Sequence, residues 1–395
     1  MPTIAGHPLE GVRVLELGQI ITAPLAGMML ADLGAQVIKI ENPQGGDPFR
    51  SFRGGQYSPH FTAFNRNKRS ITLNLQHAEG RAIALKLIAG ADVLLENFRP
   101  DVMSRLGLDS ATLATTNARL IHASITGFGA DGPYVERPAF DTVGTALSGM
   151  GSLFFDPDDP QVRGPTIVDN VSGMYTSYGI LGALFERVRT GKGRRIEVNM
   201  LEAAMAFMPD SFANFHQLDL PQGPYSRSSA SQSYALRCGD GKLVAIHLSS
   251  PEKFWQGLTR AIGRPELASD PRFASRMDRV QHYQVLREEL AKSFLARKQD
   301  EWIRLLSAED VPCAPVYSLG EVENDPQVRH LATFYATTHP TQGPQIGIHR
   351  PVRIDGGRGP IDAAAPTLGE HTAAVLRELG YGEEDVARLR DAKVI

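Results

Sequence analysis

Two cysteines in 395 residues, Cys238 and Cys313, are too few for a disulfide framework and suit a reducing compartment such as the cytoplasm. No uninterrupted apolar run reaches membrane-spanning length, so a membrane partner is not expected. Residues 1–7 lack a basic stretch followed by an apolar one, so no export signal is expected either. Charge of one sign is also missing: the formal net charge is −3 and no Lys/Arg run stands out, which argues against nucleic acid. The turn after the first predicted strand, LGQIITAP (17–24), has no G-x-G-x-x-G with which to approach a dinucleotide pyrophosphate. There is no P-loop and no G-x-S-x-G elbow. The 11 histidines are scattered without HExxH or Cys/His spacing, so no metal is expected.

What is present is an alternation of β-branched runs and helical stretches over the first third. Strands are predicted at 11–17, 36–41, 70–75, 92–96 and 119–125, and helices at 24–34, 78–89 and 102–106. The first helix carries Leu25, Met28, Met29 and Leu33 on one face. This pattern implies an α/β fold with a parallel sheet covered by helices on both sides, and ligands bind beyond the carboxyl ends of such strands. A long helix is predicted over 172–189, stopped by Gly191 and Gly193, then a strand at 194–200. Residues 220–231 are rich in Pro, Gly and Ser and read as a linker or mobile loop. A mixed α and β region follows to about 325, and the chain ends in a helix at 372–379 and a charged tail. The expected division is a large domain over 1–220, a small α+β domain over 221–325, and a terminal segment over 326–395 that returns to the large domain.

Several segments together resemble the family III CoA-transferases. They are LEGVRVLEL (9–17), ADLGAQVIKIE (31–41) with Gly46-Asp47, NRNKRSITLNL (65–75), DVLLENFRP (92–100), VDNVSG (168–173), TGKGRRIEV (190–198), VPCAPV (311–316) and PTLGEHT (366–372). The resemblance spans nearly the whole chain in order. It implies a Rossmann-like large domain, a smaller α+β domain, and a homodimer whose chains are threaded through each other. It also implies an enzyme with no tightly bound cofactor, coenzyme A being part of the substrate. The expected reaction moves CoA from an acyl-CoA donor to a carboxylic acid; a dicarboxylate such as succinate is one acceptor the resemblance allows.

By the same resemblance Asp169 is the nucleophile. A carboxylate attacking a thioester and then accepting CoA fits an aspartate, which is ordinarily ionised at neutral pH. Its place just before a predicted helix is equally that of an N-cap, while the helix dipole is expected to keep it anionic. For CoA the resemblance points to Asn42, Leu73, Gln76, Asn97, Phe98 and Arg105. Asn42 and Gln76 stand where relatives carry basic residues, so Arg69, Arg99 or Arg105 are the cations left to meet phosphate. Ser228 to Gln232 stand where the formyl-CoA enzyme has a run of glycines, and read as either a lid or a plain linker. The alternative reading is an α-methylacyl-CoA racemase-like isomerase, which needs a His as proton-transfer base. Phe140 occupies that place, and the neighbouring Asp141, on a segment expected to be extended, is predicted to point away from the site.

Overall fold

The structure, a computed structural model, describes residues 7–156, 158–359, 361 and 363–395. Residues 1–6, read above for an export signal, lie outside them. Six strands form one sheet: β1 (Arg13–Glu16), β2 (Gln36–Glu41), β3 (Lys68–Thr72), β4 (Val93–Glu96), β5 (Ile121–Thr126) and β6 (Arg195–Asn199). Their order is β3-β2-β1-β4-β5-β6, and every pairing is parallel. The helices between them are α1 (Thr22–Ala31), α2 (Pro59–Asn65), α3 (Ala78–Ala89), α4 (Val102–Arg105), α5 (Ser110–Thr116), α6 (Asp141–Leu147) and α7 (Val168–Thr190); α8 (Met200–Ala206) follows β6.

Alternate strand residues divide the core in two. Val14, Val93 and Leu95 pack with Ala26 and Leu30 of α1 and with Ile180 and Ala183 of α7. Leu15 and Leu94 face the other way, onto Ile83 and Leu87 of α3 and onto Val375, Leu376 and Leu389 near the C-terminus. A strand buried on both faces reads as a continuous apolar run, as Val93, Leu94 and Leu95 do.

The chain forms two compact units. The first comprises residues up to Met150, Gly164–Met208 and Thr333–Ile395; the second comprises Gly151–Arg163 and Pro209–Ala332. The second holds α9 (Pro209–Leu218), α10 (Ser226–Ser231), an antiparallel sheet of β7 (Ser233–Arg237), β8 (Leu243–His247) and β9 (Cys313–Pro315), and helices α11 (Glu252–Ala261) through α16 (Pro326–His330). Trp255, Phe273, Leu286, Leu290, Phe294 and Trp302 fill its own core. The first unit is completed by a hairpin of β10 (Phe334–His339) and β11 (Gly343–Ile348), then α17 (Thr372–Glu378) and α18 (Glu383–Asp391).

Four sequence expectations are corrected. The loop expected at 220–231 ends in helix α10, capped by Gln232 in the left-handed region with φ +50°. Gln232 is buried and tied by Arg279 Nε at 2.7 Å and by its own Nε2 to the Ser249 carbonyl at 2.7 Å. The terminal segment, expected to hold one helix and a charged tail, also holds a hairpin whose residues alternate without a strong apolar signature. The charged tail is helix α18, anchored by Val386 and Leu389. Helix α7 starts at Val168, four residues earlier than its apolar periodicity indicated.

Candidate active site

A cavity of about 220 Å³ opens at the carboxyl ends of β1, β4 and β5, beside the point where the strand order reverses. The loop after β1 contributes Ile20, Ile21 and Thr22; the end of β4 contributes Asn97, Phe98, Arg99 and Pro100; the end of β5 contributes Ile125 to Gly129. Val135, Arg137, Phe140, Asp169 and Met200 complete the wall. Apolar side chains dominate, with one carboxylate and two cations among them. Neither Arg99 nor Arg137 has a carboxylate partner among the described residues, and Arg137 lies over the Tyr134 ring at 3.8 Å.

Asp169 is the second residue of α7, inside its first turn, and the N-cap position falls to Ile167. The cap role that its sequence position allowed is therefore not the one it plays. The residue is 8% exposed. Burial, and after it the charge of Asp141, pushes its carboxyl up to about 7. The helix dipole acts in the opposite sense. The expectation of a fully ionised carboxylate is thus corrected: desolvation leaves Asp169 divided between its acid and its anion near neutrality.

Asp141 is likewise corrected. It is the first residue of α6 rather than part of an extended strand, and its Oδ1 accepts the Asp169 N–H at 3.2 Å. The two helices meet closely because Gly144 of α6 lies under Val168; a Cβ there would stand 2.8 Å from the Val168 side chain. Phe140 lines the cavity and offers no group that transfers protons.

The other residues singled out from sequence fall in different places. Asn97 and Phe98 line the cavity with Asp169; Asn42, Leu73, Gln76 and Arg105 do not. Asn97 spends its side chain on the protein: Oδ1 accepts from Gln19 N–H at 2.9 Å, and Nδ2 donates to the Gln19 carbonyl and Thr22 Oγ1 at 2.8 and 2.9 Å. Phe98 packs partly into the core. The Leu73 side chain is in that core at 2% exposure. Asn42 and Gln76 are exposed, and Arg105 is exposed with only an i, i+4 pair to Asp101 at 2.8 Å. Arg69 is paired with Glu378 at 2.7 Å, whereas Arg99 is at the cavity.

A buried ionic cluster behind the cavity was not foreseen. Lys39 reaches Glu16 at 2.9 Å, Asp47 at 3.0 Å and the Gly18 carbonyl at 2.6 Å, while Lys68 reaches Glu16 at 2.8 Å. Arg50 chelates Glu41 at 2.7 and 2.8 Å. Burial drives the Lys68 ammonium down to about 8 despite Glu16. Burial opposes charge on Asp47 as well, but Lys39 and two backbone N–H donors hold its carboxyl below the usual range. The available signal was Glu16 and Lys39 at matching positions of adjacent parallel strands, inside runs otherwise apolar.

A family model for CoA-transferase family III matches residues 9–372. The chain belongs to that family. It is 32% identical to formyl-CoA:oxalate CoA-transferase from Escherichia coli, over 98% of this chain and 99% of that one. Among solved structures, a CAIB/BAIF family protein from Brucella suis superposes with a TM-score of 0.83 at 32% identity, covering 94% of this chain and 99% of the other. Rv3272 from Mycobacterium tuberculosis gives 0.81 at 32% identity, covering 93% and 99%. Family III CoA-transferases act on acyl-CoA and carboxylic acids, so this chain is an enzyme of CoA transfer and acyl-CoA metabolism. Among the described residues no group of three His, Cys, Asp or Glu could hold a metal, and no helix is long and apolar enough to cross a membrane.

Proposed function

We propose that the cavity carries CoA transfer through a covalent aspartyl-CoA thioester on Asp169. The observation that supports this is the placement of Asp169: a carboxyl in the first turn of α7, mostly withdrawn from water, in a cavity at the strand ends of a family III enzyme. Its anion attacks the acyl carbonyl of the donor and expels CoA thiolate, giving an acyl-aspartyl anhydride. The thiolate then attacks the aspartyl carbonyl, releasing the donor acid and leaving CoA on Asp169. The acceptor carboxylate runs both steps in reverse and leaves with CoA, so no atom is gained or lost by the enzyme. A carboxylate short of hydration is a better nucleophile than a solvated one.

CoA binding is proposed for Asn97 and Phe98 at the cavity, and for Asn42, Leu73, Gln76 and Arg105 along the strand ends, Leu73 through its backbone because its side chain is committed to the core. Arg105 has only a weak exposed pair to give up for a phosphate. The acceptor is proposed to be a small acid, succinate among the candidates. A homodimer is proposed from an apolar stripe on α7: Met174, Tyr178, Leu181, Phe185 and Val188 repeat at three- and four-residue spacing and are all exposed, Val188 by 85%.

The test is a screen of formyl-, acetyl- and succinyl-CoA against a panel of carboxylic acids, with Asp169→Ala alongside. The wild type should transfer CoA and gain the mass of CoA on the peptide holding Asp169; the variant should do neither while still binding CoA. Turnover by Asp169→Ala near the wild-type rate rejects the intermediate. A second reading, proton exchange beside the thioester carbonyl, draws on Asp141 reaching Asp169, since a carboxyl near neutral pKa can serve as a base. Deuterium uptake from heavy water by a 2-methylacyl-CoA, at the rate of transfer, would favour it.

A further inference from the structure

Ile20 has a φ of +67°. Nine residues other than glycine adopt positive φ among those described, and Ile20 is the one with a β-branched side chain. That conformation brings Cβ against the backbone and persists only where the surroundings impose it. Here they are visible. The Gln19 N–H donates to Asn97, and the Ile20 N–H donates to both carboxylate oxygens of Asp47 at 3.1 and 3.2 Å. Lys39 donates to the Gly18 carbonyl two residues earlier and is also the cation on Asp47.

Asp47 is 1% exposed and is itself held, accepting from Phe49 N–H at 2.9 Å while its own N–H donates to Glu41 at 3.1 Å. Capping the short turn at Phe49 and neutralising Lys39 would both be served without reaching Ile20. The contact to Ile20 therefore calls for a separate reason. Ile20, Ile21 and Thr22 form one wall of the cavity that holds Asp169, and the Thr22 carbonyl packs directly under Gly173, one turn along the helix from Asp169. A change of φ at Ile20 would swing that wall.

We propose that Asp47 is a positioning residue for CoA transfer: by accepting the Ile20 N–H it keeps Ile20 left-handed and so sets the wall Ile20–Thr22 against Asp169. The proposal rests on the cavity being the transfer site. It does not make Asp47 a participant in proton or group transfer.

The experiment compares Ile20→Ala with Ile20→Gly, each with Asp47 intact and with Asp47→Leu, which keeps the shape of the side chain and has no acceptor; asparagine would still accept through its amide oxygen. Both substitutions at position 20 remove the branched side chain and differ from each other by one methyl group, but glycine takes positive φ freely. With Asp47 intact the two should turn over within about twofold of each other, because the carboxylate holds either backbone. With Asp47→Leu, the alanine variant should lose about 10- to 100-fold in kcat with little change in KM for acyl-CoA. The glycine variant should recover at least about fivefold of that loss. Equal losses in the two backgrounds would mean that Asp47 acts only through the buried charge cluster, and would overturn the proposal.

Should Asp47→Leu not fold, thermal unfolding of the single variants decides. Ile20→Gly should melt about 2 °C above Ile20→Ala if the site is left-handed, and an equal or lower Tm rejects it. Turnover is read with the best donor and acceptor from the screen above. A wild type inactive on every pair would count against the transfer reading itself, while the Tm comparison still answers for Ile20.

Discussion

At the scale of single residues, Asp169 shows that the same burial which makes a carboxylate reactive also makes it reluctant to ionise. Its folded carboxyl holds a proton up to about 7, against 3.8 as the ordinary value. Between those values the folded chain binds a proton that the unfolded chain has released. Stability from this group is thus complete below about pH 4, falls as pH rises through the window, and levels off above 7. Asp169→Asn removes the fall, so it should raise unfolding free energy at pH 8 by roughly 2–4 kcal/mol while changing it little at pH 4. Urea titrations at the two pH values measure this. Asp141→Asn removes the neighbouring charge, so the acid limb of single-turnover acylation should move to lower pH; a limb that stays in place would separate the two carboxylates.

Elements set where such residues stand. Helix α7 begins four residues ahead of its predicted start, so Asp169 belongs to its first turn, where it lines the cavity while Val168 and Val171 beside it are buried. Further along, Gly173 lets α7 approach the start of α1: a Cβ at 173 would sit 2.6 Å from the Thr22 carbonyl oxygen. Replacing a mid-helix glycine by alanine ordinarily stabilises a helix by about 1 kcal/mol. Here the sign should invert, with Gly173→Ala destabilising by about 1–3 kcal/mol and lowering turnover, because the neighbour is backbone and cannot rotate away. The denaturant midpoint gives the sign directly.

At the scale of the whole molecule, the apolar stripe of α7 lies in the first unit near a second cavity of about 730 Å³. Leu25 and Met29 of α1 and Leu33 just beyond it line that cavity with Met174, Leu181, Ile346 and Ile348. Ile346 is 71% exposed. A surface of this kind on a monomer is an aggregation hazard, so a second copy of the chain is the proposed cover. Sedimentation at low micromolar concentration should give a dimer that resists dilution, and Leu181→Lys with Phe185→Lys should weaken it or prevent folding. A monomeric wild type would remove both the dimer and the threaded arrangement.

Local periodicity and motifs read in order were enough for the alternating α/β plan, the helix at 78–89, the second strand and the family. The sequence by itself placed Asn97, Phe98 and Asp169 among the residues of interest. Only the tertiary structure brought those three to one cavity, because Asn97 and Phe98 follow β4 whereas Asp169 opens α7, and the chain between them forms β5 and α6. Side-chain partners are likewise decided in three dimensions: Asn97 is bound to Gln19 and Thr22, Asp141 turns toward Asp169, and Lys39 is buried among carboxylates. Burial and charge contacts between segments far apart in sequence fix ionisation and backbone strain. The raised carboxyl of Asp169 and the left-handed Ile20 belong to that order of structure, since neither local propensity nor spacing carries them.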